Sequence, residues 1–290
     1  MFGIVLIDKP LEFTSHDVVG KLRRKFSTKR IGHAGTLDPM ATGLLVVAVG
    51  PATRFLQYLP LEPKVYRAVI RFGVTTDSYD SEGEITSETP LPHDFAIRLP
   101  EVIDSMLGIQ EQVPPMYSAV KVDGQPLYKL ARQGIEIERK SRTINIERMD
   151  ILNIGEATVE VEIECSGGTY VRTIAQDMGE NMGCGAYLQS LVRTGIGRFS
   201  LDNAKSLDDV TLDDLIPLKS ALLPMKIRLL SDLETMRVRN GGSVENLIDA
   251  TDEHVALAEP SGDIISVAAV HGNVLQPECV IPTEALNAAL

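Results

Sequence analysis

Residues 32–43, GHAGTLDPMATG, place one histidine, His33, and one carboxylate, Asp38, in a glycine-containing turn. Glycines at 32, 35 and 43 open backbone conformations closed to other residues, and Pro39 biases Asp38 towards an extended shape that fixes where its carboxylate points. A carboxylate held in this way suits covalent catalysis, in which nucleophilic attack divides one hard step into easier ones. An Asp-Pro pair alone commonly does no more than start a turn, so the setting decides. Directly after the turn, residues 44–49 (LLVVAV) read as a buried strand closed by Gly50-Pro51, which anchors the turn on a rigid element. Reactive groups usually sit on loops held like this.

The elements around that turn follow from periodicity. Residues 2–7 read as a strand ending at Asp8-Lys9-Pro10, and Thr14 or Ser15 caps a helix running to about residue 26 with Asp17 in its first turn. Val18, Leu22 and Phe26 share one face of it. Lys21, Arg24 and Lys25, followed by Lys29 and Arg30, form a basic ridge that is a candidate phosphate track. Pro51 opens a short helix to about residue 59. From residue 64 to 73, Tyr66, Ala68, Ile70 and Phe72 alternate with Arg67 and Arg71, as in a half-buried strand.

An acidic loop spans residues 77–84, and a helix from Pro100 to about residue 107 stops at Gly108. A second short helix lies between Pro126 and Gly134 and bears Tyr128, Lys129 and Arg132. Strands follow at 144–151 and 159–165; in the second, Glu160, Glu162 and Glu164 alternate with Val159, Val161, Ile163 and Cys165, one wet face and one buried. The next helix begins at Arg172, and Leu191 reads as a core leucine on a helix. Residues 205–216 form an acidic helical stretch. A boundary near residue 230 divides a domain at 1–230 from a small module of short strands and turns at 231–290.

With 290 residues and 44% apolar content the chain can bury a real core, which excludes disorder as its main state. The first apolar stretch is too short and lacks the basic start of a signal peptide, and no run reaches the length of a membrane helix. Cys165, Cys184 and Cys279 are odd in number and lack metal-ligand spacing, so they read as reduced thiols of a cytoplasmic protein, with no metal and no cofactor expected. The net charge of -12 is uneven. Residues 1–60 carry 8 Lys and Arg against 4 Asp and Glu, while residues 231–290 carry 2 against 10. A nucleic-acid partner is therefore compatible with the acidic total, because binding depends on a local basic face.

GHAGTLDPMATGLL resembles the signature of the TruB family of pseudouridine synthases, and the likeness recurs in order along the chain. DKPLEFTSHDVV is similar to the family's first motif and KVYRAVIRFGVTTDSYDSEG to its second. VPPMYSAVKVDGQPLYKLARQG, GGTYVRT and GCGAYLQSLVRTGIGRFSLDNA continue it. The resemblance implies an α+β pseudouridine synthase fold, a central mixed and largely antiparallel sheet flanked by helices, with a small C-terminal, mostly-β module like the PUA or TruB-C module of relatives. The acidity of residues 231–290 departs from an RNA-gripping module.

For function the resemblance implies isomerisation of uridine 55 in the TΨC loop of tRNA, by base flipping and a catalytic aspartate that acts either on the base or at the sugar. By the same carry-over Asp38 is the catalytic aspartate, Tyr66 the active-site tyrosine against the base, and Arg172 the cation paired with the aspartate. A nucleophilic carboxylate shielded from water needs such a cation to stay ionised. His33 takes part in opening the loop or filling the vacated stack, Leu191 lines the base pocket, and Lys9, of the Lys-Pro pair, supports the site. Lys121, Lys129 and Arg132 are expected on the RNA backbone. The chain opens almost directly on the first motif, which points to a stand-alone, monomeric tRNA enzyme rather than a guide-RNA-dependent one. Two other classes compete: a non-catalytic tRNA-folding chaperone on the same fold, and a glycoside hydrolase. The latter needs a second placed acid, and no other Asp or Glu has a setting in the sequence comparable to that of Asp38.

Overall fold

The computed structural model describes residues 2–118, 120–122, 124–131 and 133–282. The chain forms two compact units: residues 1–39, 44–61 and 198–290 make the first, and residues 40–43 and 62–197 the second.

In the first unit the strand Gly3–Lys9 is followed by the helix Ser15–Lys25, whose entry is a complete capping box: the Thr14 hydroxyl accepts from the Asp17 N–H, and the Asp17 carboxylate accepts from the Thr14 N–H. Val18, Val19 and Leu22 turn inward and pack with Val5, Ile7, Ile31, Leu45, Val47 and Val49 in one apolar cluster. The strand Ile31–Ala34 pairs antiparallel with residues 46–49 of the strand Ala41–Val49, so residues 35–40 form the tight connection that carries Asp38. Residues 50–58 wind as a 3-10 helix rather than an α-helix. The same unit holds a five-stranded sheet, in the order Ile227–Leu229, His254–Ala258, Ile264–His271, Val274–Val280, Val244–Glu245. That sheet has its own core around Leu230, Val238, Val255, Leu257, Ile265 and Leu275.

Residues 205–216, expected to be helical, run instead along the strand Gly3–Lys9, with backbone bridges Ile7 to Lys205 and Ile4 to Ile216. Only residues Leu212–Asp214 form a 3-10 turn. The Ser206 hydroxyl donates to Asp209 and the Thr211 hydroxyl to Asp214, so short polar side chains bond locally and compete with helical hydrogen bonding.

The second unit is built on the strands Ala186–Ile196, Lys64–Phe72, Thr158–Cys165, Arg142–Ile154 and Gly108–Gln112, in that order and antiparallel. Residues 41–43 pair parallel with residues 191–193, which makes the sheet mixed. The alternation at Thr158–Cys165 is as the sequence indicates, with Val159, Val161, Ile163 and Cys165 buried. On the other face Arg148 bridges Asp150, Glu162 and Glu164. Two helices cover the sheet. Phe95–Asp104 contains Pro100 inside it instead of starting there, and Val171–Met182 ends on Gly183 in the left-handed region at φ 81°.

Leu191 lies on a strand, not on a helix. Two bulges, at Leu188/Ser190 and Arg193/Gly195, each insert a residue and shift the pleat. The buried positions 186, 188, 191, 193 and 196 therefore alternate spacings of two and three, which imitate a helical stripe.

Candidate active site

The loop at 35–40 is fixed on both sides of Asp38. On one side the buried Ser15 hydroxyl accepts from the Leu37 N–H at 2.9 Å and donates to the Leu37 carbonyl at 3.2 Å. On the other, the Pro39 carbonyl accepts from the Glu12 N–H at 3.0 Å and from the Lys9 ammonium at 3.4 Å. Lys9 also donates to the carbonyls of Pro10 at 2.9 Å and Phe13 at 2.5 Å. It is fully buried, so these hydrogen bonds hold the loop from within. Asp38 and His33 are both half-buried, and His33 stands in the strand opposite Val47. Gly35 takes a positive φ of 74°, the left-handed turn for which glycine is suited.

In the second unit Tyr66 sits on the strand Lys64–Phe72, buried, opposite Ile163 on one neighbour and Arg193 on the other. Its hydroxyl is hydrogen-bonded to the Arg193 side chain. Leu191 is buried two residues before Arg193, level with Ala41 and Ala68. At Gly43, φ is 94° and an added Cβ would stand 2.4 Å from the Arg193 carbonyl oxygen, so only glycine lets these two backbones lie so close.

Arg172 is the second residue of its helix. The turn before that helix is tied down by Gln112, whose side chain accepts from the Tyr170 N–H at 2.8 Å and donates to the Tyr170 carbonyl at 3.1 Å. The Arg172 guanidinium is buried and lies 3.3 Å from Asp80, donating also to the carbonyls of Ser78 at 3.3 Å and Tyr117 at 2.7 Å. Asp80 is itself 3% exposed and accepts from the Ser78 hydroxyl at 2.5 Å and the Glu82 N–H at 3.1 Å. Tyr79, at a φ of 65°, makes the local backbone turn that presents it.

Asp80 is a second acid with a built setting, one unlike that of Asp38. In sequence Asp80 reads as part of an acidic loop, and the signal for it is its place inside the TTDSYDSEG stretch. Its engagement by a guanidinium, a hydroxyl and a backbone N–H suits a brace for Arg172. Arg193 was also passed over, because an arginine within LVRTG reads as a surface residue until its burial is known.

Of the expected RNA-backbone contacts, Lys129 is exposed on the short helix Leu127–Ala131, and Lys121 belongs to the two-residue strand Lys121–Val122. Arg132 lies outside the described residues.

The architecture superposes on a chain of a Cbf5-Nop10-Gar1 complex with a TM-score of 0.73 at 24% identity, over 98% of this chain and 86% of that one. It also superposes on a chain of an H/ACA RNP bound to a substrate RNA containing 2'-deoxyuridine, with a TM-score of 0.71 at 20% identity, over 98% and 86%. These likenesses define the class of fold, the α+β pseudouridine synthase fold. In sequence, the model of the TruB family pseudouridylate synthase N-terminal domain matches residues 23–171, and that of the tRNA pseudouridylate synthase B C-terminal domain matches residues 172–229. The tRNA pseudouridine synthase B of Syntrophotalea carbinolica is 50% identical over 212 residues, 73% of this chain and 69% of that protein. That of Mycobacterium tuberculosis is 40% identical over 293 residues, 97% of this chain and 98% of that protein. The chain belongs to the TruB family of pseudouridine synthases.

Proposed function

We propose that this chain converts uridine 55 in the TΨC arm of tRNA to pseudouridine, with Asp38 as the covalent catalyst. The observation that carries the assignment of the aspartate is its backbone, fixed through Leu37 on one side and Pro39 on the other by Ser15, Lys9 and Glu12. A near-attack geometry demands that kind of restraint. Similarity to proteins called tRNA pseudouridine synthase B supports the substrate class.

In this reading the target base leaves its stack and enters a pocket where Tyr66 offers a ring face and Leu191 an apolar wall. Arg172, oriented by Asp80, pairs with Asp38 and keeps it ionised in a dry site. His33 helps to open the RNA loop. Lys121, Lys129 and Arg132 meet phosphates, together with the basic ridge from Lys21 to Arg30. Residues 1–230 carry the chemistry, and the acidic residues 231–290 form a module with little role in gripping RNA. We place the protein in the cytoplasm as a monomer, a location supported by three buried free thiols.

The test is Asp38→Asn on an unmodified tRNA transcript carrying tritium at uridine C5. Tritium release is expected to vanish, while RNA affinity stays within about tenfold, the signature of a group needed in the transition state rather than for binding. Normal release by the variant removes Asp38 from the chemistry. Binding and refolding of tRNA by the wild-type protein without any carbodiimide-reactive product would instead make it a folding chaperone.

A further inference from the structure

Arg193 is the largest fully buried side chain among the described residues, with 0% exposure. A hydrophobic residue of similar volume would fill such a place without the cost of dehydrating a cation, so a charge retained there points to an effect on its neighbour. That neighbour is Tyr66. The two residues are directly opposite on adjacent antiparallel strands, so their side chains leave the sheet on one face, and the guanidinium is hydrogen-bonded to the phenol.

The backbone around Arg193 is held with unusual closeness. Residues 41–43 pair with residues 191–193, Gly43 leaves no room for a Cβ beside it, and the Thr194 hydroxyl donates to the Val65 carbonyl at 3.3 Å. A bulge then follows at Arg193/Gly195, a device that re-aims a side chain next to a site. Lys64, two residues before Tyr66 on the same strand, adds a second cation; burial, and then Arg193, depress its proton affinity.

We propose that Arg193 is a positioning residue for Tyr66: it donates to the phenol oxygen, fixes the angle of the ring against the base, and stabilises negative charge that collects on that oxygen. This rests on the reading of Tyr66 as the active-site tyrosine. Arginine supplies a planar donor with a fixed reach, and a donor held in place before the reaction costs no reorganisation during it.

The experiment compares Arg193→Met and Arg193→Lys with the wild type on tRNA transcript, measuring single-turnover tritium release and RNA affinity separately. Arg193→Met is expected to slow the chemical step on the order of 100-fold, a magnitude typical of a positioned proton-handling group, with affinity within about threefold. Arg193→Lys should recover at least about tenfold of that loss because it keeps a charged donor. A wild-type rate in Arg193→Met, a loss confined to affinity, or equal rates in the Met and Lys variants would each overturn the proposal; the last would make Arg193 a packing residue.

Tyr66→Phe separates the two levels. If it turns over normally, the reading of Tyr66 fails and takes this proposal with it; if it is slow while Arg193→Met is normal, only the role of Arg193 fails. Should Arg193→Met not fold, NMR of the wild type labelled at tyrosine Cζ decides. The Tyr66 resonance, assigned by its loss in Tyr66→Phe, is expected to titrate at lower pH than free tyrosine, and titration at or above that of free tyrosine refutes the proposal.

Discussion

Asp38 in the loop at 35–40 and Asp80 in the loop at 76–84 stand among different sets of hydrogen bonds. Around Asp38 the hydrogen bonds from Ser15, Lys9 and Glu12 land on the backbone of the flanking residues. Around Asp80 they land on the carboxylate itself, from the Ser78 hydroxyl, the Glu82 N–H and the Arg172 guanidinium. The first pattern fixes where a carboxylate sits by restraining the main chain, as the role proposed for Asp38 requires. The second occupies a carboxylate's acceptor sites, which suits a brace whose own chemistry must stay silent. The difference teaches that one loop is fixed through the main chain of its flanking residues, while the other is braced through a side-chain carboxylate that reaches Arg172.

The largest expected effect comes from breaking the brace. Asp80→Ala leaves the Arg172 guanidinium buried at 5% exposure without that carboxylate, which should cost about 3 kcal/mol of folding stability in denaturant titration. Because Arg172 then loses its orientation, single-turnover tritium release should fall by roughly 100-fold or more. A variant with the wild-type rate would break the comparison by showing that Asp80 holds the fold only.

A smaller effect is expected on the other side. Ser15→Ala removes both hydrogen bonds to Leu37 and leaves a buried N–H unsatisfied, at about 1 to 2 kcal/mol. The slackened backbone should slow the chemical step about tenfold with RNA affinity unchanged. A loss of stability with no change in rate would mean that Asp38 does not depend on that restraint.

The smallest effect concerns a third aspartate, on the helix that carries Arg172. Burial, aided by repulsion from Glu180, pushes the Asp177 carboxyl up from 3.8 to about 6. The folded chain therefore holds this proton at pH values where the unfolded chain has lost it. The resulting stability is fully present below about pH 4 and is lost as pH rises through about 6. Asp177→Asn should accordingly raise stability at pH 7.5 by on the order of 1 kcal/mol, discounted for its partial exposure, and leave it unchanged near pH 4. An equal gain at both pH values would place the cause outside ionisation.

Local signals were legible where a residue's partner is near in sequence. The helix start at Thr14 or Ser15 with Asp17 in its first turn, the alternation of Thr158–Cys165, and the glycine-bounded turn with Asp38 before a buried strand all have their causes within a few residues. Asp80 and Arg193 were not legible, because what marks them is engagement by Arg172 and by Tyr66, which are more than ninety residues away in one case and over a hundred in the other.

The helix expected around Leu191 is a strand for a related reason. Two bulges in its strand, fixed by pairing with Lys64–Phe72, turned a period of two into a pattern resembling a helix. Residues 205–216 form no α-helix because Lys205 and Ile216 bridge to Gly3–Lys9 at either end and short polar side chains bond locally between them.

By itself the sequence determined the family, the candidate aspartate and most of the strands, since these depend on side-chain period, turn chemistry and motif order. Tertiary structure alone decided which charged side chains are buried and what each one holds. Lys9, Asp80, Arg172 and Arg193 are all buried polar residues that in sequence look like surface charges. The physical reason is that dehydrating an ion is tolerable only where partners from distant parts of the chain converge on it, and that convergence exists only once the chain has folded.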